Sequence, residues 1–114
     1  MKATEIELGA EYAAAVRDYL AGKGEEALRR AQEAGRHALA SGLGVLELAA
    51  AHRDAILEAV REMPGADVTH TVARALTCFA ESLSPFEAAL RGAQESDARL
   101  RQSQTDLERA QGLI

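Results

Sequence analysis

The sequence predicts an all-α protein: an up-down four-helix bundle that dimerises and carries a C-terminal helical extension. Three observations predict it. The chain is 47% hydrophobic but only 4% aromatic, with no Trp. It is rich in Ala and poor in β-branched residues, which favours closely packed helices over sheets. Apolar residues recur at i, i+3, i+4 through four segments. The segments are separated by short Gly-containing loops, which imply antiparallel neighbours. At 114 residues the chain has the length of one domain with one core.

The first helix is predicted over residues 3–21, with Ile6, Ala10, Ala13, Val16 and Leu20 on one face and "GKG" (22–24) as its breaker. The second runs over residues 25–40. Its stripe is Ala27, Leu28, Ala31, Ala34, Ala38 and Leu39, Glu25 and Glu26 suit the positive end of its dipole, and "SGLG" ends it. Gly35 sits inside this helix, where glycine costs about 1 kcal/mol against Ala; it implies a close helix–helix approach. The third helix begins near Val45 and carries Val45, Leu48, Ala49, His52, Ile56, Ala59 and Val60. "MPGAD" stops it, with Pro64-Gly65 as a turn.

The fourth helix begins near Val68, with Asp67 as N-cap. Its stripe is Val68, Val72, Ala75, Leu76, Phe79, Leu83, Phe86, Leu90 and Ala93, which places Phe79 and Leu83 in the core. Ser84-Pro85 interrupts it. Proline inside a helix removes a donor and clashes with the preceding turn, at about 3 kcal/mol. Ser84-Pro85-Phe86-Glu87 also has capping-box spacing, so a new helix could start there. The apolar stripe keeps phase across Pro85, which favours one kinked helix over a break.

Beyond Gly92 the chain turns polar, so the bundle is assigned to residues 1–92 and a linker to 93–114. Phe86, Ala93, Leu100, Leu107 and Ile114 are spaced by seven, one seam of a heptad repeat. The companion positions are Ser96, Ser103 and Ala110 in one register, or Asp97, Gln104 and Gln111 in the other. The segment reads either as a solvated tail or as a deliberately marginal two-stranded coiled coil.

Net charge is −5, a poor match to nucleic acid or to an anionic membrane surface. One cysteine, Cys78, allows no internal disulfide. No stretch has the length of a membrane span, and the N-terminus lacks a signal-peptide apolar run; a cytoplasmic location is expected. His37, His52 and His70 make no metal-ligand motif. His52 lies on an apolar stripe and reads as a core histidine bonded to a neighbouring helix; His37 and His70 read as surface residues. Cys78 has no nearby base, and no Gly-rich phosphate loop occurs. No catalytic constellation, cofactor or metal is expected.

"EEALRRAQEAGRHALASGLGVLELAAAHRDAIL" followed by "VARALTCFAESLSPFEAALRG" resembles the N-terminal domain of RsbU-type serine phosphatases, a KaiA/RsbU-like helical domain also found on histidine kinases. The resemblance covers about residues 8–95. It rests on the Ala-Gln of helix two, the Gly-Leu-Gly turn, His52-Arg53 and the SPFE of helix four. It implies a non-catalytic, dimerising input domain that receives an RsbT-like switch kinase. The signal would pass through the C-terminal helix to an output phosphatase or kinase domain. It also implies partner contacts at Arg29, Leu76 and Ala80. The dimer and linker element through Pro85, Phe86, Ala93, Leu100, Leu107 and Ile114 comes from the heptad spacing and fits that scheme independently. Two other readings stay open: a ligand-sensing bundle using His52 or Cys78, and a stand-alone dimeric adaptor.

Overall fold

A computed structural model describes residues 3–112 apart from Pro64 and Ala66. Four helices follow one another: α1 (Ala3–Leu20), α2 (Gly24–Ala40), α3 (Val45–Glu62) and α4 (Val68–Gly112). No strand occurs among the described residues. Ile114 and Pro64, assigned above to the linker seam and to a turn, lie outside the described residues.

The glycines set the first two helix ends. At the end of α1, Gly22 takes φ +93°, Lys23 N–H donates to Asp18 O and Gly22 N–H to Tyr19 O, both at 3.0 Å. At the end of α2, Gly42 takes φ +77°, Leu43 N–H donates to Ala38 O at 2.9 Å and Gly42 N–H to Leu39 O at 3.2 Å. Both are Schellman motifs, in which a left-handed residue lets two amides fold back onto otherwise orphaned carbonyls. The starts are held by carboxylates. Glu47 accepts from the Gly44 N–H at 2.8 Å, and Asp67 accepts from the His70 N–H at 3.3 Å as N-cap of α4.

Helix order around the bundle is not chain order. α1 packs on α2 and α3, α4 packs on the same two, and α1 also meets α4, whereas α2 and α3 barely touch. The short 41–44 connection therefore does not make packed neighbours of the helices it joins. α1 and α2 run antiparallel, as the pairs Asp18–Arg30 and Glu11–His37 show. α1 and α3 run in the same direction, with Tyr12 against His52 and Arg17 against Glu58. The core is built largely from small residues, among them Ala15, Ala31, Ala34, Ala38, Ala51, Ala55 and Ala75, so helices approach closely and a few large side chains decide the packing.

Two apolar faces differ from the sequence reading. On α1 the buried residues are Leu8, Tyr12, Ala15 and Val16, while Ile6 is 56% exposed. The face is rotated because Tyr12, with an apolar ring and one hydroxyl, takes the central position. On α4 the inward residues are Thr71, Ala75, Cys78 and Ser82, all small enough for close contact. The large residues of the predicted stripe lie further round: Phe79, Leu83 and Phe86 rest half-buried on the core, and Val68, Val72, Leu76 and Leu90 are exposed.

The closest helix contact is α2 on α4 at Gly35. A Cβ there would overlap the Ser82 carbonyl oxygen and lie 2.8 Å from its carbon and 3.2 Å from its Cα. The sequence expectation of a close approach at Gly35 therefore holds.

α4 is one helix of 45 residues with Pro85 inside it, so the segment does not restart at Ser84. At about 1.5 Å per residue it spans roughly 68 Å, most of the molecule's 76 Å long axis. Proline lacks the N–H that would reach the carbonyl four residues back, here that of Glu81. Ser84 Oγ donates to that carbonyl at 2.7 Å. The Ser84 hydroxyl thus replaces the lost donor instead of capping a new helix, and it also accepts from Gln32 Nε2 of α2 at 3.2 Å. Pro85→Ala is expected to raise stability by about 1 kcal/mol, below the usual interior-proline penalty because Ser84 already offsets part of it. Ser84→Ala should lower stability by about 1–3 kcal/mol, since it leaves both the Glu81 carbonyl and the Gln32 amide short of a partner. Urea denaturation of the two variants checks both signs.

Candidate functional site

Functional geometry centres on α4, which is at once a bundle wall and an exposed rod. Phe86 is the last residue of α4 packed on the core, and every described residue from Glu87 onward is exposed. That segment is supported by its own i, i+4 pairs: Glu87–Arg91 at 2.6 Å, Asp97–Arg101 at 2.5 Å and Gln102–Asp106 at 3.0 Å. Such pairs add only about 0.2–0.5 kcal/mol each. Leu90, Leu100 and Leu107 are each 60% exposed, an apolar seam that the monomer leaves uncovered.

Followed back into the bundle, that seam is stronger than its C-terminal half alone suggests. Heptad pairs run Val72/Leu76, Phe79/Leu83 and Phe86/Leu90, apolar at both positions, and then Ala93/Asp97, Leu100/Gln104 and Leu107/Gln111, apolar at one. Val72 and Leu76 are 39% and 55% exposed. The repeat therefore begins on the bundle's surface, about three heptads before the polar segment. It crosses Pro85 without losing phase.

Arg29 is exposed and lines a cleft of about 220 Å³ between α2 and α4, with Glu25, Leu28, Gln32 and Glu81. Leu76 and Ala80 are also exposed and lie one turn apart on α4. They occupy a different strip from Glu81, with Ala80 about 100° and Leu76 about 140° round the helix from it. The three residues predicted for partner contact are thus all on the surface, with Arg29 at the cleft and the other two on the apolar side of α4.

A partly buried cluster joins α1, α3 and α4. The Tyr12 hydroxyl and His52 Nδ1 share a hydrogen bond at 2.5 Å. The His52 ring stacks on Phe79 at 4.6 Å between centroids and meets the Tyr12 ring edge-on at 5.7 Å. Burial pushes the Tyr12 phenol far above its ordinary value, with the nearby Cys78 adding to the shift. Burial also holds the His52 imidazole below its own, so the bond joins two neutral groups. His52 is the core histidine that its stripe position predicts. Tyr12 was missed; its signal is the 8-12-15-16-19 spacing on α1, visible once tyrosine is counted as an apolar ring. Cys78 is fully buried, and desolvation pushes its thiol up to about 11, which suits a packing residue rather than a nucleophile. No group of residues suited to a metal ion occurs among the described residues, and no helix there is long and apolar enough to cross a membrane.

His37 is exposed, as expected, and meets Glu11 at 2.8 Å. Hydrogen bonding to Glu11 is the chief cause that holds His37 above its ordinary pKa. A raised folded value means the pair stabilises fully below about pH 6.5, the ordinary imidazole value, and is lost as pH rises through the folded value. His52 has the opposite sign: its contribution is present above about pH 6.5 and is lost as pH falls through its lowered value. His37→Gln is therefore expected to lower the urea midpoint more at about pH 5.5 than at about pH 8. Equal losses at the two pH values would show that the Glu11 pair contributes nothing.

The family model described as the phosphoserine phosphatase RsbU, N-terminal domain, matches residues 10–89. No curated protein and no solved structure matches the chain.

Proposed function

The chain belongs to the family of RsbU N-terminal domains, and from that premise we propose that it is a dimeric regulatory input domain. It binds a partner protein, an RsbT-like switch kinase, and passes the signal along α4 to an output phosphatase or kinase domain. The single observation that supports this best is the continuity of α4. One helix carries an apolar heptad seam from the bundle surface, through a hydroxyl-compensated proline, into an exposed rod. A second copy covers that seam from Phe86 onward, which leaves Leu76 and Ala80 to the partner, with the helices of each bundle alternating up and down. The chain works in the cytoplasm, takes part in partner-switching stress signalling, and does no chemistry of its own.

The polar companion positions Asp97, Gln104 and Gln111 keep the linker weak. A linker that must switch needs states separated by only a few kcal/mol, and a fully apolar seam would be locked. His52 and Cys78, which a ligand-sensing reading would use, are taken up by core contacts.

Titration calorimetry with a purified RsbT-type kinase tests the partner surface. Leu76→Glu and Ala80→Glu should each weaken binding at least tenfold, by about 1.4 kcal/mol, and Arg29→Glu should also weaken it. Unchanged affinity in all three variants contradicts this placement.

A further inference from the structure

We propose that the groove between α1 and α3 is a second docking site, one that takes a basic amphipathic helix of another protein. It does not rest on the reading above, which places the partner on α2 and α4. The groove encloses about 460 Å³. Its floor is made of residues with no side chain beyond Cβ: Gly9 and Ala13 from α1, Ala51 and Ala55 from α3. Ile6, 56% exposed, stands at one end.

Gly9 separates this groove from an ordinary gap. Glycine is the poorest helix former after proline, and Gly9 lies inside α1. Gly35 has an intramolecular reason for its missing side chain; Gly9 has none, because a Cβ there would meet nothing within 4 Å. The open floor suits the close approach of a body from outside. From Glu5 to Arg17 the groove runs about 18 Å, three turns of helix. Large apolar side chains of a docked helix would fill the small-residue floor.

Charge selects the occupant. The rim carries Glu5, Glu47, Asp54 and Glu58 against Arg17, the one lining cation among the described residues. Arg17 meets Glu58 at 3.4 Å and Arg53 meets Asp54 at 3.1 Å, with both pairs largely exposed. Exposed pairs of this kind are weak and exchange readily, so Lys or Arg from a partner can take these carboxylates. A second copy of this chain fits poorly, since a two-fold pairing would set the same carboxylates against each other.

The test is an NMR titration of the labelled protein with an 18-residue amphipathic helix of Leu, Ala and Lys, and with the same pattern carrying Glu for Lys. The Lys peptide should shift amides along α1 and α3, and the Glu peptide should not. Gly9→Leu should raise the Kd at least tenfold without lowering the melting temperature. Should Gly9→Leu melt early, the charge-reversed pair Asp54→Lys and Glu58→Lys must show the same tenfold loss. No binding, shifts centred on α4, equal binding of the Glu peptide, or unchanged affinity in these variants each overturns the proposal. Loss of a dimer in Gly9→Leu also overturns it, because a second copy would then be the occupant.

Discussion

Gly35→Val is expected to destabilise the domain by at least about 3 kcal/mol, the upper end of what overpacking a core costs. Any Cβ at Gly35 overlaps the Ser82 carbonyl of α4. The obstacle is backbone, so no rotamer change relieves it and α2 must move off α4. Small relief comes from helix propensity, about 1 kcal/mol at most. With total stability of a domain near 5–15 kcal/mol, the variant should melt well below wild type. Gly9→Ala is the control: it is also inside a helix, but open space surrounds its Cβ, so it should be neutral or stabilising by up to about 1 kcal/mol. Equal effects of the two substitutions in a urea titration would show that α2 and α4 do not meet at Gly35.

Tyr12→Ala is expected to cost about 3–5 kcal/mol, the range for removing a large buried aromatic. Tyr12 is fully buried and links α1 to α3 through His52, which in turn stacks on Phe79 of α4. Tyr12→Phe keeps the ring and removes the hydroxyl. It should cost less, about 1–3 kcal/mol, the penalty of leaving His52 Nδ1 without its partner. If Tyr12→Phe is as damaging as Tyr12→Ala, the ring contributes little. If it is neutral, the bond to His52 does no net stabilising.

Most of the fold was legible from punctuation and period. Gly22 and Gly42 announce the ends of α1 and α2 because only glycine enters the left-handed region cheaply, and Asp67 announces the start of α4. Gly35 was legible because its cost in a helix demands a packing reason. The faces were harder. Hydropathy alone set Val68, Val72 and Leu76 inside α4, yet close contact with α2 selects for size, and Thr71, Cys78 and Ser82 took the interior.

Ser84-Pro85 shows why local motifs can mislead. Its spacing fits a capping box, in which serine accepts from an amide ahead of it. In the folded chain the serine donates backward, to the carbonyl that proline abandons. Which of the two happens depends on whether the preceding turn stays helical, and that is decided by the apolar contacts of Phe79 and Leu83 with the core. Arg29, Leu76 and Ala80 came from resemblance. The structure places all three on the surface.

That α4 pairs with its copy along one seam is tested most directly by oxidative crosslinking of variants with one added cysteine in the exposed rod. The native Cys78 is buried and stays inert. Leu100→Cys and Leu107→Cys, on the seam, should form disulfide-linked dimers quickly. Thr105→Cys lies about 200° from Leu107 around the helix and should stay uncrosslinked. Equal crosslinking at all three positions, or none at Leu100 and Leu107, would contradict a paired α4 and with it the helix as the route of the signal.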